Sequence, residues 1–439
     1  MSTMPEETLT LKRIFHFWIP LAATWFMMAV EGPFLAAVIA RLTDPKFNLA
    51  AYGVAFSFAV LMESPIIMIM SASNALVKDR DSFLKLRNFT YVLNGVITVV
   101  MIIFLLPSVF NFITIQLIGL PENVSRLTHY ACIVLLPWPA AIGYRRFYQG
   151  ILVSSHLPKR VAYGTVIRLS SMAITALICY WFFNLTGAVV GTMALSLGVM
   201  AEAVASKFMA KKSVNRLLLK KSKEKSLSYR FISTFYFPLA LTSILSLSVQ
   251  PMLTFFIGHS RMALESLAVL PVINSLVFIF RCTGFSFQEV AIALFGENNE
   301  FYKPLRNFAV LLGLIVTAGL SFVAFTPLSF LWFHKVSGLS LELTRFANLP
   351  TKIVSIMPGL VVLLSFQRAL LVNNRKTKPI TVATVIEVVA IITILPFTID
   401  FFGIVGAVAA AMALIIGRFL ANSYLFIPVL QVLKKGRQG

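Results

Sequence analysis

Twelve ionisable side chains lie inside long apolar segments of this chain, where a charge is costly and is by default a sign of function. Six are arginines, five are glutamates and one is a lysine. Arginine can hold a carboxylate or a phosphate through two parallel hydrogen bonds, so the excess of arginine favours a cavity that accepts anions. The twelve residues are Glu31, Glu63, Arg145, Arg146, Arg168, Glu202, Arg281, Glu289, Lys352, Arg368, Glu387 and Arg418.

Glu31 lies deep in the first apolar segment, beside Gly32 and Pro33, which loosen a helix and free its carbonyl groups. A carboxylate there could bind H+ or Na+ and couple transport to a gradient. The alternative role is a hydrogen bond that stabilises the kink. The second half of the chain keeps the proline as Pro251 but has Gln250 close to the position of the carboxylate. We therefore expect coupling on one side only.

Two further stripes of polar residues suit the binding of a substrate. Arg146 and Gln149 are three residues apart and share one face of a helix. We expect Arg146 to point into a cavity while Arg145 extends to the lipid head groups, although both arginines could extend in that way. A later apolar segment carries the second stripe, Arg281, Gln288 and Glu289. Arg281 and Gln288 are seven residues apart and hence nearly on one helix face, and Glu289 is adjacent to Gln288. This stripe suits anion binding.

The elements that carry these side chains must be membrane-spanning helices. The chain has 439 residues, of which 58% are hydrophobic and 13% charged, and its mean hydropathy is +0.85. These values exclude a soluble domain, and the continuous apolar runs exclude a transmembrane barrel, whose strands alternate. We predict an all-α polytopic membrane protein with twelve transmembrane helices. The apolar runs lie at about 14–40, 49–77, 89–118, 129–153, 161–184, 187–209, 231–258, 263–295, 308–333, 346–372, 380–401 and 403–430.

The two halves of the chain are related in sequence. Pro20-Leu21-Ala22 recurs 218 residues later as Pro238-Leu239-Ala240, and Leu86-Arg87-Asn88-Phe89 recurs 219 residues later as Leu305-Arg306-Asn307-Phe308. Because each half has an even number of spans, the repeats are parallel, and a central cavity is expected between two six-helix lobes. The predicted lobes are residues 1–210 and 231–439, joined by a basic linker at 211–230.

The repeat relates three pairs of charged positions, and in each pair one half of the chain has an acidic residue where the other half has a basic one. Opposite charges could pair between the lobes and close the cavity in one conformation. They could instead pair within a lobe, so that neither lobe buries a bare charge. Glu63 with Arg281 is an example of the first kind. In the second kind, Arg168 could pair with Glu63 or Glu202, and Glu387 could pair with Arg281 or Arg418. The equivalent positions are Glu63 and Arg281 (218 apart), Arg168 and Glu387 (219), and Glu202 and Arg418 (216).

The distribution of positive charge predicts how the chain lies in the membrane. The net charge is +21, and the loops on one side hold 25 Lys and Arg residues against six on the other. The positive-inside rule then places both termini in the cytoplasm and indicates an integral protein of the cell (inner) membrane. The charge therefore points to the lipid bilayer as a partner and not to nucleic acid. We expect a monomer that binds a small-molecule substrate.

Motifs for other classes of function are missing from the sequence. It has no His-Glu-x-x-His, no Gly-x-Ser-x-Gly and no phosphate-binding Gly-x-x-x-x-Gly-Lys-Ser/Thr, and its loops are short. This argues against an enzyme, and a receptor or scaffold would not need the repeat or the charged spans. The histidines and cysteines lack metal-ligand spacing, so we expect no cofactor and no metal. Any energy for transport would come from a gradient, with H+ or Na+ as the coupling ion, or from a partner.

The first span resembles a known superfamily of exporters. Phe17-Trp18-Ile19-Pro20-Leu21-Ala22, followed by Glu31 and Pro33, is similar to the opening helix of the multidrug/oligosaccharidyl-lipid/polysaccharide (MOP) exporter superfamily, which includes the multidrug and toxic compound extrusion (MATE) transporters. The resemblance implies two six-helix lobes that form a V and export substrate by alternating access. For the extrusion transporters it implies exchange of H+ or Na+ against amphipathic cations, with Glu31 in the position of the cation-binding acid.

A second resemblance concerns the progressive ankylosis (ANK) branch. The run Leu49-Ala50-Ala51-Tyr52-Gly53-Val54-Ala55-Phe56-Ser57, with Pro65 and the turn Lys78-Asp79-Arg80, is similar to the second span of these proteins. It implies small anions as substrates, namely pyrophosphate, citrate or nucleotides. We therefore expect an exporter of a small anionic organic solute. The alternatives are an H+- or Na+-coupled multidrug antiporter, from which the chain differs by having no acid between residues 231 and 258, and a flippase for a lipid-linked substrate.

Overall fold

The chain is a bundle of helices that accounts for all twelve predicted spans. A computed structural model describes residues 9–155, 157–220, 227–296, 299–374 and 376–435, and these ranges contain helices and no strand. Eleven helical segments are long and apolar enough to cross a membrane. The one remaining span, the fourth along the chain, is broken into Glu122–Val134 and Trp138–Ser154. These pieces have 13 and 17 residues, and neither is long enough to cross a membrane alone. The predicted all-α polytopic fold is confirmed.

The first half contributes spans 1 to 6. A short helix, Pro107–Asn111, and a π-helical turn, Phe112–Leu117, lie between spans 3 and 4. The spans are Leu11–Ala29 with Glu31–Ile39 (span 1), Pro45–Glu63 with Ile69–Leu76 (span 2), Arg80–Phe104 (span 3), Glu122–Val134 with Trp138–Ser154 (span 4), Pro158–Phe182 (span 5) and Gly187–Leu219 (span 6).

The second half contributes spans 7 to 12 in the same order. Leu328–Phe330 and a π-helical turn, Leu331–Val336, lie between spans 9 and 10. The spans are Tyr229–Leu247 with Val249–Gly258 (span 7), Ala263–Leu294 (span 8), Tyr302–Phe325 (span 9), Leu341–Ile353, Val354–Ile356 and Met357–Asn373 (span 10), Lys378–Asp400 (span 11) and Gly406–Lys435 (span 12).

The internal repeat is visible in the backbone as well as in the sequence. Both π-helical turns have six residues and begin 219 residues apart. Each is followed by a glycine with a φ of +76°, Gly119 or Gly338, a left-handed conformation that favours glycine because it has no Cβ. Spans 2 and 8 both follow a left-handed residue, Asp44 or Met262.

One of the three predicted charge equivalences is wrong. Spans 6 and 12 begin at Gly187 and Gly406, which sets their offset at 219. Glu202 therefore corresponds to Ala421, and Arg418 lies three residues, nearly one helical turn, before that position. Charge is reversed at two pairs of positions and not at three.

The predicted kinks in spans 1 and 7 are confirmed. The helix of span 1 ends at Ala29 and restarts at Glu31, and span 7 is interrupted in the same way at Ser248. Pro33 and Pro251 lie just after these interruptions. Each helix is interrupted because proline has no N–H to donate to the carbonyl one turn before it. Span 2 has a longer break, between Glu63 and Ile69, whereas its equivalent, span 8, is continuous.

The first helix of span 1 packs mainly on the second half of the chain. The Trp18 Nε1–H donates to Ser286 Oγ at 2.8 Å, and the Trp18 ring meets Phe308 at 5.9 Å between centroids. Ile14, Trp18 and Ala22 share a buried apolar cluster with residues of spans 8 to 12. The lobe boundary at residue 210 stays a prediction, and the first helix of span 1 packs across it.

Span 7 makes the reciprocal contact with the first half. Tyr236 donates its hydroxyl to the Pro65 carbonyl at 2.7 Å, and its ring packs on Phe89 at 5.5 Å. Of the predicted linker at 211–230, residues 211–219 continue the helix of span 6, residues 229 and 230 begin span 7, and residues 221–226 lie outside the described part of the chain.

The two halves also meet at the membrane face away from the termini, called here the opposite face. Lys46 Nζ lies 2.6 Å from Glu265 Oε1, and Arg41 donates to the carbonyls of Lys335 and Val336, at 2.9 Å each. These contacts join the outer ends of spans 1, 2 and 8 and the segment before span 10. The interface between the halves is therefore closed on this face.

Gly32 and Ser275 provide a test of this closed interface, because a Cβ on Gly32 would lie 2.9 Å from Ser275 Cβ. We expect the double variant Gly32→Cys/Ser275→Cys to form a disulfide. A protease site inserted within 221–226 makes the bond visible, since the two fragments stay joined until they are reduced.

The matched control is Gly95→Cys/Ser275→Cys, because a Cβ on Gly95 meets nothing within 4 Å. Fragments that separate without reductant in the Gly32 variant, or remain joined in the control, would contradict the observed packing of spans 1 and 8.

Candidate functional site

A buried network of charges in the first half centres on Glu202 of span 6, which is 1% exposed. Arg145 of span 4 forms an ion pair with Glu202 Oε2, and Gln149 donates its amide to Oε1 at 3.0 Å. Arg168 of span 5 lies 3.6 Å from the same carboxylate and 2.9 Å from Glu31 Oε2. The network therefore ties spans 1, 4, 5 and 6 together.

Local sequence explains how these side chains meet. Arg145 and Gln149 are one helical turn apart, so both reach the same carboxylate from one face of span 4. Glycines let spans 5 and 6 approach closely: a Cβ on Gly198 would lie 3.1 Å from the Arg168 carbonyl, and one on Gly164 3.3 Å from Glu202 Cγ. The close approach allows ion pairs to form in a region from which water is excluded.

The expectation that Arg145 extends to the lipid head groups is wrong. Arg145 is buried and paired with Glu202, and it joins Gln149 where Arg146 was expected. Arg146 also stays inside the first half, where it contacts Met70 Sδ at 3.5 Å and interacts with Glu63 and Glu202. The reason is the position of Glu202 on span 6, which faces the side of span 4 that carries Arg145 and Gln149.

Glu63 lies beside this network without joining it. Its side chain is buried, 7% exposed as a residue, and its Oε2 has no hydrogen-bond partner among the described residues. The charged groups close enough to act on it are Arg145, Arg146, Arg168 and Glu31. No ion pair between Glu63 and Arg281 is formed in the described part of the chain, so the ion pairs of these two clusters lie within each half.

A second cluster lies in the other half. Arg418 of span 12 pairs with Glu387 of span 11 at 2.8 Å, and Arg368 of span 10 donates to the Thr384 hydroxyl at 3.1 Å. Arg281 of span 8 interacts with both of these charged residues, Arg418 and Glu387, but forms no ion pair in the described chain. Its guanidinium lies against the rings of Phe278 and Phe285, at 5.7 and 5.8 Å from their centroids.

The two clusters differ in their balance of charge. The first half brings together three arginines (Arg145, Arg146, Arg168) and three glutamates (Glu31, Glu63, Glu202), which balance. The second half brings together three arginines (Arg281, Arg368, Arg418) and one glutamate, Glu387. The second cluster therefore has two positive charges in excess.

The remaining predicted site residues lie at the edges of these clusters. Glu289 is exposed, interacts with Trp25 and is two helical turns from Arg281, so it does not offset the excess charge. Gln288 is half-buried beside it. Gln250 lies at the kink of span 7, where its carbonyl accepts from Thr254. Within the ranges that the structure describes, no three His, Cys, Asp or Glu residues could hold a metal ion.

Sequence analysis placed Arg145 and Arg368 among the charged residues of the spans but assigned neither of them to a binding stripe or to a charge pair. The repeat contained a signal for Arg368, because the 219-residue offset places it at the position of Gln149. The glutamine in one half bonds to a carboxylate, whereas its arginine counterpart bonds only to a hydroxyl group among the described residues.

Removing the central carboxylate tests the network. We expect Glu202→Gln to destabilise the protein by about 3–5 kcal/mol, because it leaves buried arginines without a counter-charge. Thermal unfolding in detergent would measure the loss. Glu122→Gln, which removes an exposed carboxylate at the start of span 4, is the control.

The double variant Arg145→Gln/Glu202→Gln should be less destabilised than the sum of the two single variants, because both charges are removed together. Additive effects would contradict the ion pair.

Comparisons with known proteins identify the fold but not a close relative. No protein-family model matches the chain, and no curated protein matches it. Among solved structures, a multidrug resistance MATE family transporter of the MOP superfamily in an inward-facing conformation matches with a TM-score of 0.70 and 14% identity. The match covers 94% of this chain and 96% of that one.

Two other solved structures show how varied proteins of this fold are. The lipid II flippase MurJ, in an inward closed conformation, matches with a TM-score of 0.73 and 16% identity over 94% of this chain and 87% of its own. A MOP superfamily transporter from Pyrococcus furiosus, for which reverse polarity of the binding pocket suggests a different function, matches with a TM-score of 0.64 and 14% identity over 100% of both chains.

These matches confirm the predicted resemblance at the level of the fold. The protein has the fold of the MATE transporters of the MOP superfamily and of MurJ.

Proposed function

We propose that this protein is a secondary transporter that exports a small anionic organic solute of the citrate, pyrophosphate or nucleotide class by alternating access. The observation that carries the proposal is the excess of two positive charges in the cluster of Arg281, Arg368, Arg418 and Glu387. The fold supports a transporter, since the similar solved structures are transporters and a flippase. The resemblance of span 2 to the ANK proteins supports an anion as substrate.

The arginines of the second cluster have hydrogen-bond donors to offer. The Nε atoms of Arg281, Arg368 and Arg418 are buried and have no partner in the described chain. An unpaired cation in a membrane interior is unfavourable by several kcal/mol, so an anion that pairs with it recovers that cost. Carboxylate and phosphate groups suit these donors because guanidinium can bind both oxygens of such a group at once.

Alternating access requires the contacts of the opposite face to open. Those contacts are of a kind that can break at moderate cost. Lys46 and Glu265 are 30% and 17% exposed, and ion pairs that reach solvent contribute little. Arg41 binds backbone carbonyls at the end of a helical turn, where water can replace it. Opening of this face, in alternation with opening of the face of the termini, would move the substrate outward.

A second candidate function is a flippase for a lipid-linked anion. A shallow, open groove of about 620 Å³ lies on the exposed surface of spans 5 and 6 and is lined mainly by apolar side chains such as Leu197, Met200 and Val204. A lipid tail could lie against this surface. A multidrug antiporter for cations is less well supported, because two of the three carboxylates in the first half are bound by arginine.

Transport by reconstituted protein tests the proposal. Liposomes loaded with citrate, pyrophosphate or ATP, and separately with a cationic dye, should release at least one of the anions and retain the dye. We expect Arg281→Gln to slow the anion efflux by roughly 10- to 100-fold, as the loss of one charge-assisted hydrogen bond would. Arg306→Gln, which removes an exposed arginine from the same half, is the control.

Unchanged anion efflux in Arg281→Gln would remove this cluster from the site. Movement of the dye in place of the anions would favour the multidrug antiporter. Translocation of a fluorescent lipid-linked diphosphate, with no efflux of the free anions, would favour the flippase.

A further inference from the structure

We propose that the first half binds an anionic phospholipid of the membrane leaflet on the side of the termini. The binding site, called here the lipid site, consists of Arg87, Tyr91, Tyr144, Tyr148 and Lys207. The lipid is a bound partner and not the transported substrate, so the inference does not depend on the proposed function. It rests on a group of aromatic and basic side chains that the second half lacks.

Three helices bring the lipid site together. Tyr91 of span 3 stacks on Tyr144 of span 4, with 6.1 Å between the ring centroids and 8° between the ring planes. Tyr144 also contacts Tyr148, one turn further along span 4, at 4.9 Å. Lys207 of span 6 lies over the ring of Tyr144 at 5.9 Å, and Arg87 of span 3 lies over the ring of Tyr91 at 5.8 Å. The result is an aromatic surface with a cation at each end.

The two cations of the lipid site have donors to offer to a ligand. Arg87 donates to the Asn88 side chain at 3.3 Å, while its Nε is buried and has no hydrogen-bond partner among the described residues. Neither Arg87 nor Lys207 forms an ion pair in the described part of the chain. Asp81, the acidic residue nearest to Arg87 along span 3, pairs with Lys85 at 3.0 Å. The lipid site therefore presents two positive charges that are not taken up by a carboxylate of the described chain.

The position of Arg87 along span 3 places the lipid site at the boundary of the hydrocarbon core. Span 3 begins at Arg80 on the side of the termini, and Arg87 lies about 10 Å along the helix axis. The whole span is about 38 Å long, which exceeds a hydrocarbon core of roughly 30 Å, so its first turns lie among the head groups. Further into the membrane the same helix exposes Val92 and Val96, by 67% and 54%. The cations thus lie at the depth of lipid phosphates, with apolar side chains at the depth of the acyl chains.

The second half keeps one residue of the lipid site and lacks the other four. Arg306 is the repeat equivalent of Arg87, and it also donates to the next residue, Asn307, at 3.2 Å. The shared fold therefore does not require the tyrosines or the lysine, which supports ligand binding as their role. The equivalents of Tyr91, Tyr144, Tyr148 and Lys207 are Val310, Leu363, Gln367 and Phe426.

An anionic phospholipid matches the lipid site in charge and in shape. Its phosphodiester can accept charge-assisted hydrogen bonds from Arg87 and Lys207, and basic pockets between transmembrane helices bind lipid head groups in this way. Tyrosine suits the membrane interface because its ring is apolar and its hydroxyl is polar. A zwitterionic lipid would bring a cation of its own against the two of the protein. A soluble phosphate has no acyl chains to cover the exposed apolar surface of span 3.

Cross-linking from the lipid site identifies its occupant. The full chain with Tyr91→benzoylphenylalanine is irradiated in bilayers of phosphatidylglycerol and phosphatidylcholine in equal amounts, and the attached lipids are counted by mass spectrometry. We expect phosphatidylglycerol to be attached in roughly 30-fold excess, because each of two cations near the membrane surface contributes about fivefold.

The matched control is Val310→benzoylphenylalanine at the equivalent position of span 9, which is 56% exposed. There only Arg306 is close along the helix, so the excess should be no more than about fivefold. Equal ratios of the two lipids at both positions overturn the proposal.

Two double variants separate a specific site from the general attraction of a positive surface. Phosphatidylglycerol added to the protein in detergent should raise the unfolding temperature above that with phosphatidylcholine, because the lipid binds only the folded protein. We expect Arg87→Gln/Lys207→Gln to lose this difference, while its unfolding temperature without added lipid stays close to that of the wild type. Lys303→Gln/Arg306→Gln, which removes two exposed charges from the same side of the second half, should keep the difference.

A difference that persists in Arg87→Gln/Lys207→Gln, or that is lost equally in both double variants, overturns the proposal. Stabilisation by inorganic phosphate and not by phosphatidylglycerol would identify a site for a soluble anion and would overturn it as well.

Discussion

The cost of placing charge in a membrane without a partner is the constraint on which this structure depends. Glu202 is almost fully buried, and it is acceptable there only because Arg145, Arg168 and Gln149 converge on it. Those partners come from two other helices, so the ion pair also determines where spans 4, 5 and 6 lie relative to one another. The glycines of spans 5 and 6 are a consequence, because larger residues would hold the charged groups apart.

The two halves have kept one backbone and diverged in charge. The kinks of spans 1 and 7, the π-helical turns and the left-handed Gly119 and Gly338 recur at offsets of 218 or 219 residues, which shows that the repeat constrains the backbone. Charge is not kept in this way, since two pairs of equivalent positions carry opposite charges. Gln149 bonds to a carboxylate in one half, while its counterpart Arg368 has only a hydroxyl partner in the described chain. Duplication thus provided two similar frames, of which one holds a balanced network and the other an excess of arginine.

Sequence was informative about the fold and less so about the site, for physical reasons. Apolar length and proline position gave the twelve spans and the kinks of spans 1 and 7, because both follow from local rules. The partner of each charge depends on which helices lie side by side, and that information is not local. Arg145 and Arg146 are adjacent in sequence, and only the position of Glu202 decides which of them is buried. The packing of span 1 on the second half was likewise invisible, since no motif marks it.

The position of the first helix has a consequence for how the chain is made. Trp18 bonds to Ser286, which is 268 residues later in the sequence. At roughly 5–20 residues per second, a ribosome completes that partner about 13–54 s after the first helix. During this interval Ile14, Trp18 and Ala22 lack the partners in the second half that they have in the folded chain. Biogenesis therefore cannot finish the first half before the second has been inserted, and span 1 reaches its final place only after spans that are synthesised later.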